Sequence, residues 1–214
     1  MCVMRNGRLL VALLVIVVPS TILVLAELVI GDYKLFMLIN QGVTNSVLDV
    51  LCAYASPISF SAFYLLTLAK LYVSHNNRFL AIGVISLVTG PVSYGIGFLM
   101  KPFFARPRPF EVLADARVIG PWETGNFSFP STTTMLAFGL ALQILLLSEK
   151  RHYGIILSIL SYFIGFSVIY AGFHFPADVA AGIILSFCIA ACTSRMKEIT
   201  KSILDRICAR EIVS

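Results

Sequence analysis

Residues 79–109 read FLAIGVISLVTGPVSYGIGFLMKPFFARPRP and restrict the fold more than any other stretch. The run from Phe79 to Met100 carries no charged side chain and is long enough to cross a bilayer as a helix. A segment rich in arginine and proline, Lys101 to Pro109, follows it directly. The stretch therefore predicts a transmembrane helix that delivers a basic segment to one membrane surface.

The composition of the whole chain extends this prediction. Of the 214 residues, 58% are apolar and 13% are charged, and the mean hydropathy is +0.91. A soluble domain is roughly 45–50% apolar and about 25% charged, so a soluble, disordered or coiled-coil protein is excluded. The net charge of +5 comes from basic residues that mostly flank apolar runs, which favours topology signals over nucleic-acid binding. We predict an all-α protein with several membrane spans.

Six apolar runs predict a bundle of six transmembrane helices. Arg5 and Arg8 precede the first run, so a cleaved signal peptide is the alternative interpretation there. That run is longer than a usual signal core, about 7–15 residues, and no A-x-A site follows it, which favours a retained helix kinked near Pro19. The predicted spans are 9–30, 58–73, 79–100, 131–148, 153–172 and 177–193.

The distribution of lysine and arginine predicts the topology. With the N-terminus in the cytosol, 11 of these residues fall on the inner side and 5 on the outer side. Both termini are therefore predicted to be cytosolic, and the long connection 101–130 becomes an outer loop. We interpret residues 1–214 as a single integral domain of the plasma membrane.

Three polar groups lie at the predicted outer ends of helices 3, 4 and 6. Singly, each has an ordinary interpretation: basic residues anchor lipid headgroups, Pro-Ser begins a helix, and an aspartate caps one. Together they match the chemistry of a phosphate site, because arginine and a helix N-terminus bind phosphate oxygens and a carboxylate orients a nucleophilic histidine. The groups comprise Lys101, Arg106 and Arg108 in the first, Ser131 in the second, and His174 and Asp178 in the third.

The spacing of these residues resembles the type 2 phosphatidic acid phosphatase superfamily. Lys101, six residues and Arg108-Pro109 resemble its first signature, Pro130-Ser131 begins its second, and His174, three residues and Asp178 end its third. The resemblance implies that Lys101 and Arg108 hold the phosphate and that Ser131 bonds a phosphate oxygen. It also implies that His174 attacks phosphorus to form a phosphohistidine, that Asp178 orients His174, and that no metal or cofactor takes part.

Three positions depart from the family pattern. Thr132 replaces a glycine of the second signature, Thr133 replaces its histidine, and Val168 replaces the arginine of the third. In the family the histidine is the general acid and the arginine is a phosphate ligand. Arg106 is a candidate to supply the missing positive charge.

These departures bear on the function that the resemblance implies. A diphosphate leaves as phosphate and needs little protonation, so a lipid phosphatase without the general acid should favour a polyprenyl diphosphate over phosphatidic acid. One alternative is a relative that binds a lipid phosphate without hydrolysis. A second is a transporter or channel with a coincidental basic site, which predicts ionisable residues at mid-membrane depth. The predicted partners are the lipid bilayer and a lipid phosphate, and no nucleic acid.

Overall fold

The computed structural model describes residues 10–11, 13–73, 77–121, 127–148, 151–197, 199–200 and 202. Within these ranges all regular structure is helical. A π-helical turn at Leu13–Val17 comes first, and a 3₁₀ turn at Ser194–Met196 follows the last long helix. The α-helices between them are α1 (Val18–Ile30), α2 (Asp32–Asn40), α3 (Ser46–Val73), α4 (Asn77–Phe104), α5 (Pro109–Val112), α6 (Thr132–Leu147), α7 (Arg151–Tyr170) and α8 (Pro176–Thr193).

Part of the helical structure is long and apolar enough to cross a membrane. In the described ranges, the stretches Leu80–Val112, His152–Tyr170 and Pro176–Met196 qualify. A fourth is counted if α1 and α2, which meet at an angle of 108°, form one broken span. Helix α6 is apolar but has 16 residues. The prediction of six spans with cytosolic termini therefore stays a prediction.

The first apolar run is irregular at both ends. Residues 1–9 and 12 lie outside the described ranges, and a π-helical turn precedes α1 where the sequence predicts a kink near Pro19. Proline lacks the N–H that would bond the carbonyl four residues earlier, which is consistent with the irregular turn directly before it. At the other end Gly31 has a φ of +89°, and the chain turns sharply there into α2.

Two helices are longer than the apolar runs that predict them. Helix α3 begins at Ser46, where Asn45 Oδ1 accepts the Val47 N–H at 2.8 Å, so the run 58–73 is only its second half. Helix α4 continues past Met100 to Phe104 and ends before Ala105, whose φ is +44°. Lys101 therefore projects from the last turn of a helix rather than from a loop.

Helix α6 is the central element of the bundle. It packs against α4, α7 and α8, and most of its side chains are buried, as expected for a helix that is apolar on all sides. Small residues permit the close approach of α4: a Cβ on Gly139 would lie 3.0 Å from the Gly90 Cα and 2.8 Å from the Ser93 Oγ. This packing brings the polar ends of α4, α6 and α8 together.

The turn between α7 and α8 packs closely against the segment that follows α5. The Phe173 and His174 N–H groups both donate to the Val168 carbonyl, at 3.0 and 3.2 Å, and the Ile119 N–H donates to the Ala171 carbonyl at 3.2 Å. Gly172 has a φ of +90°, and a Cβ there would lie 2.1 Å from the Arg117 carbonyl oxygen. Glycine is thus required by both backbone conformation and space.

We expect Gly172→Ala to destabilise the protein by at least about 2 kcal/mol, because it combines a positive φ with a clash against backbone. In detergent this should lower the thermal unfolding midpoint by about 4–8 °C. Gly95→Ala is the matched control, since a Cβ on this helical glycine meets nothing within 4 Å. Equal unfolding midpoints for the two variants would contradict the requirement for glycine at position 172.

Candidate functional site

His174 and Asp178 form a buried pair at the start of α8. The helix begins at Pro176, and Asp178 lies in its first turn, where its Oδ2 accepts the Phe175 N–H at 2.8 Å. The same oxygen lies 3.5 Å from Nδ1 of His174. This is longer than a usual hydrogen bond, and within the described residues Nδ1 has no closer partner.

Burial keeps His174 neutral. The side chain is 4% exposed, and loss of solvation lowers the pKa of His174 from 6.5 to about 4. The Asp178 carboxylate raises this pKa, while the positive charges of Arg108 and Lys101 lower it further. An imidazole in this environment is unprotonated at neutral pH and is therefore available as a nucleophile.

Lys101 and Arg108 converge on this pair from the end of α4 and the segment after it. Arg108 Nη1 donates to the Phe173 carbonyl at 2.8 Å, next to His174, and Glu111 Oε2 accepts the Arg108 backbone N–H at 2.7 Å. Lys101 Nζ donates to the carbonyl oxygens of Phe127 and Ser128. Both cations are buried, so an anion placed beside them would interact with little screening by water.

Ser131 places the N-terminus of α6 against the first turn of α8. Its backbone N–H donates to the Asp178 carbonyl at 3.0 Å, and its side chain caps α6 by accepting the Thr134 N–H at 3.4 Å. The hydroxyl groups of Ser131 and Thr134 lie 2.9 Å apart. The first turn of any helix leaves backbone N–H groups without helical acceptors, so this end of α6 favours an anion.

Arg106 forms ion pairs with two carboxylates. Its Nη1 donates to Asp178 Oδ1 at 2.7 Å, and its Nη2 donates to Asp32 Oδ2. The guanidinium stacks 4.2 Å above the Phe175 ring. The structure therefore brings Arg106 to the site, but with two carboxylates already bound to it.

The three divergent positions occupy different environments. Thr133 is the second residue of α6 and is partly exposed, whereas Thr132 is buried with its methyl group facing Gly97 of α4. The Val168 side chain belongs to the main apolar cluster, with Phe175 and Val179. The arginine of the family pattern at 168 would thus start inside the core, whereas the histidine of the pattern at 133 would start at its edge.

Two residues of the site were missed by the sequence analysis. Ser128 is fully buried and ties the approach to α6 to the basic segment, because its N–H donates to the Arg106 carbonyl and its hydroxyl to the Pro107 carbonyl, at 2.8 and 3.0 Å. Asp32 binds Arg106 from α2. Nothing in the sequence singles out Asp32, because a carboxylate beyond the end of an apolar run avoids the cost that a charge inside the membrane would have.

Comparison with known proteins gives a consistent result. The model of the PAP2 superfamily matches residues 79–200, which include every site residue discussed above except Asp32. The chain is 28% identical over 178 residues to undecaprenyl-diphosphatase BcrC of Bacillus subtilis, covering 82% of this chain and 89% of that protein.

Two solved structures share the fold. The crystal structure of Aquifex aeolicus LpxE is 29% identical, covers 77% of this chain and 94% of its own, and superposes with a TM-score of 0.62. The PAP2-type phosphatidylglycerolphosphate phosphatase of Bacillus subtilis covers 91% of this chain and 96% of its own, at 17% identity and a TM-score of 0.60. The likeness therefore extends well beyond the three motifs.

Proposed function

Because the chain belongs to the PAP2 superfamily, we propose that it is a membrane lipid phosphatase that hydrolyses a polyprenyl diphosphate through a phosphohistidine. The observation that carries this proposal is the buried, neutral His174, with the Asp178 carboxylate beside Nδ1 and two buried cations nearby. The diphosphatase relative from Bacillus subtilis supports the reaction class. The motif chemistry requires no metal or cofactor.

Substrate binding would use the groups that converge around His174. Lys101 and Arg108 neutralise the terminal phosphate, with Arg108 held against Phe173 and Lys101 against the Phe127 and Ser128 carbonyls. When the Thr134 hydroxyl donates to Ser131, the Ser131 proton stays available for a phosphate oxygen. The N-terminal amides of α6 add further donors.

In the first chemical step, Nε2 of His174 attacks the terminal phosphorus. The bond between phosphorus and the bridging oxygen breaks, and the lipid monophosphate leaves. Asp178 stabilises the positive charge that develops on the imidazole and holds Nδ1–H toward its Oδ2, so the 3.5 Å contact is expected to shorten in the complex. Water then attacks the phosphohistidine and releases inorganic phosphate.

The substrate preference follows from Thr133. A phosphate leaving group is a weak base, so its departure needs little help from a general acid, whereas the alkoxide of a monoester needs much more. General acid catalysis is typically worth about 10²–10⁴-fold, which is the disadvantage expected for phosphatidic acid here.

We also propose that residues 1–214 form one domain of the plasma membrane with six spans and an outward-facing site. The excess of basic residues on the predicted inner side supports this orientation. A site on the outer face would bind a lipid carrier after the group that it carries has been transferred outside the cell. Cysteine labelling at the 113–121 segment of intact cells would test the orientation.

The substrate preference is tested by phosphate release from the purified protein in detergent. We expect release from a long polyprenyl diphosphate at least about 10²-fold faster than from phosphatidic acid, with His174→Ala as the blank. Equal rates on the two lipids would contradict the argument from the leaving group.

Thr133 and Val168 also favour a second candidate, a relative that binds a lipid phosphate without hydrolysing it. The cations Lys101 and Arg108 remain buried beside His174 and suffice for binding. Saturable lipid binding with no phosphate release from either lipid would support this candidate over the enzyme.

A further inference from the structure

Asp32 connects the N-terminal helices to the site from outside the matched family region. It is the first residue of α2, directly after the bend at Gly31. Its Oδ1 accepts the Ala177 N–H at 3.0 Å, in the first turn of α8. Its Oδ2 accepts a hydrogen bond from Arg106 Nη2. Each oxygen thus binds a different part of the site, and both contacts are more than 70 residues away in sequence.

Arg106 transmits this contact to the catalytic pair. Its other terminal nitrogen, Nη1, donates to Asp178 Oδ1 at 2.7 Å, and the remaining oxygen of Asp178 faces His174 Nδ1 at 3.5 Å. Stacking on Phe175 at 4.2 Å fixes the plane of the guanidinium. The result is one continuous series of contacts that runs from Asp32 through Arg106 and Asp178 to His174.

The charges in this series explain why a second carboxylate is needed. Arg106 bound to Asp178 alone would neutralise the carboxylate that must support a developing imidazolium. With Asp32 on the opposite side of the guanidinium, the group of three keeps a net charge of −1 beside His174. Buried charges interact strongly at low effective dielectric, so this residual charge has a direct effect on the imidazole.

We propose that Asp32 is a positioning residue that acts through Arg106 to orient Asp178 against His174 and to preserve its negative charge. This assignment rests on the proposed function for its catalytic consequence. It also gives Arg106 a different role from the phosphate ligand expected from the sequence: Arg106 bridges two carboxylates.

Several other charged groups face this arrangement, and none of them is substituted in the test. Glu27 of α1 lies within electrostatic range of Asp32, Arg106 and Asp178, and the positive charges near His174 come from the end of α4 and the segment that follows it. Among the described residues, the charged groups around the histidine and its carboxylate are Glu27, Asp32, Lys101, Arg106 and Arg108.

The test compares Asp32→Asn with the wild-type protein. The amide oxygen of the new side chain can still accept the Ala177 N–H, so the variant removes the charge with little change in shape. We expect kcat on the polyprenyl diphosphate to fall about 10²-fold with KM within about twofold, because the nucleophile is misaligned while the phosphate ligands are intact. Asp32→Glu should recover part of the loss.

Two controls separate this role from a general loss of structure. Asp49→Asn removes a matched carboxylate from a second cluster, where Asp49 Oδ1 binds Tyr170 at 2.6 Å and Arg117 at 2.5 Å, and should leave kcat unchanged. In an Arg106→Gln background, Asp32→Asn should have no further effect, because its path to Asp178 is gone. If the losses in kcat from Asp32→Asn and Arg106→Gln add up in the double variant, the proposal is overturned. A rise in KM with unchanged kcat in Asp32→Asn would overturn it as well.

A second readout does not depend on turnover. The chain has three histidines, and the His174 signal is identified by its loss in His174→Gln. NMR titration should show the His174 imidazole protonating at lower pH in Asp32→Asn, by half a unit or more, because a nearby negative charge is lost. An unchanged titration overturns the proposal even if the wild-type protein hydrolyses no lipid, whereas a shift in an inactive protein would reject only the proposed function.

Discussion

Replacing His174 with alanine should abolish phosphate release, with a loss of about 10⁴-fold or more in turnover. The proposed mechanism forms a covalent bond to Nε2, and no other described histidine lies near the site: His152 is exposed on α7. Rapid mixing of the wild-type protein with a diphosphate labelled on the terminal phosphorus should trap a labelled protein. That label should be acid-labile and alkali-stable, as a phosphoramidate bond is, and absent from His174→Ala.

The matched control is His152→Ala, which should retain full activity and full labelling. Lipid binding should persist in His174→Ala, because Lys101 and Arg108 are unchanged. Turnover within tenfold of the wild-type rate in a folded His174→Ala protein would refute the covalent mechanism.

The pH profile gives a further check on the same residue. The pKa of His174 is lowered to about 4, so the nucleophile is neutral throughout the physiological range. Activity limited by this group should be flat above about pH 5 and should fall only as the pH approaches 4. An unfolded histidine protonates near pH 6.5, so the contribution of His174 to stability is lost as the pH falls from 6.5 toward 4.

Thr133→His should raise hydrolysis of phosphatidic acid by about 10²-fold or more. The substitution introduces a group that can protonate the alkoxide leaving group, a contribution typically worth about 10²–10⁴-fold. Hydrolysis of the polyprenyl diphosphate should change by less than about tenfold, because its leaving group is already a weak base. Phosphate release from both lipids, measured side by side, gives the ratio.

The structure favours making this substitution alone. Thr133 is partly exposed in the first turn of α6, so an imidazole can be accommodated there, whereas an arginine at Val168 would bury a charge in the apolar cluster around Phe175. Thr133→Gln is the control, since it adds similar bulk and a hydrogen-bond donor without a titrating proton. An equal gain in both variants would attribute the effect to packing rather than to acid catalysis.

The elements that position the motifs were predictable because they follow local rules. Pro176 marks the start of α8, and a serine after proline marks the start of α6, where the Ser131 side chain caps the helix. These starts place Asp178 one turn from His174. Lengths were less predictable: α3 extends twelve residues before its apolar run because Asn45 caps it through a local hydrogen bond, independent of hydropathy.

Contacts between distant segments were not predictable from one sequence. Arg106 lies two residues from Arg108, yet its guanidinium faces two carboxylates while that of Arg108 faces the Phe173 carbonyl. The packing of α2 against α8 brings Asp32 to Arg106, and this contact is not encoded in spacing along the chain. The environment of Val168 likewise depends on how α7 packs.

The bend at Gly31 has a consequence for the order in which the protein is assembled. Synthesis from the N-terminus makes Asp32 long before its partners, since Arg106 is 74 residues and Ala177 145 residues further along the chain. Its position after the first apolar helix, rather than within it, leaves the carboxylate at the boundary with water during this interval. The geometry of the candidate site is therefore completed only after α8 has been synthesised, because α8 carries both Ala177 and Asp178.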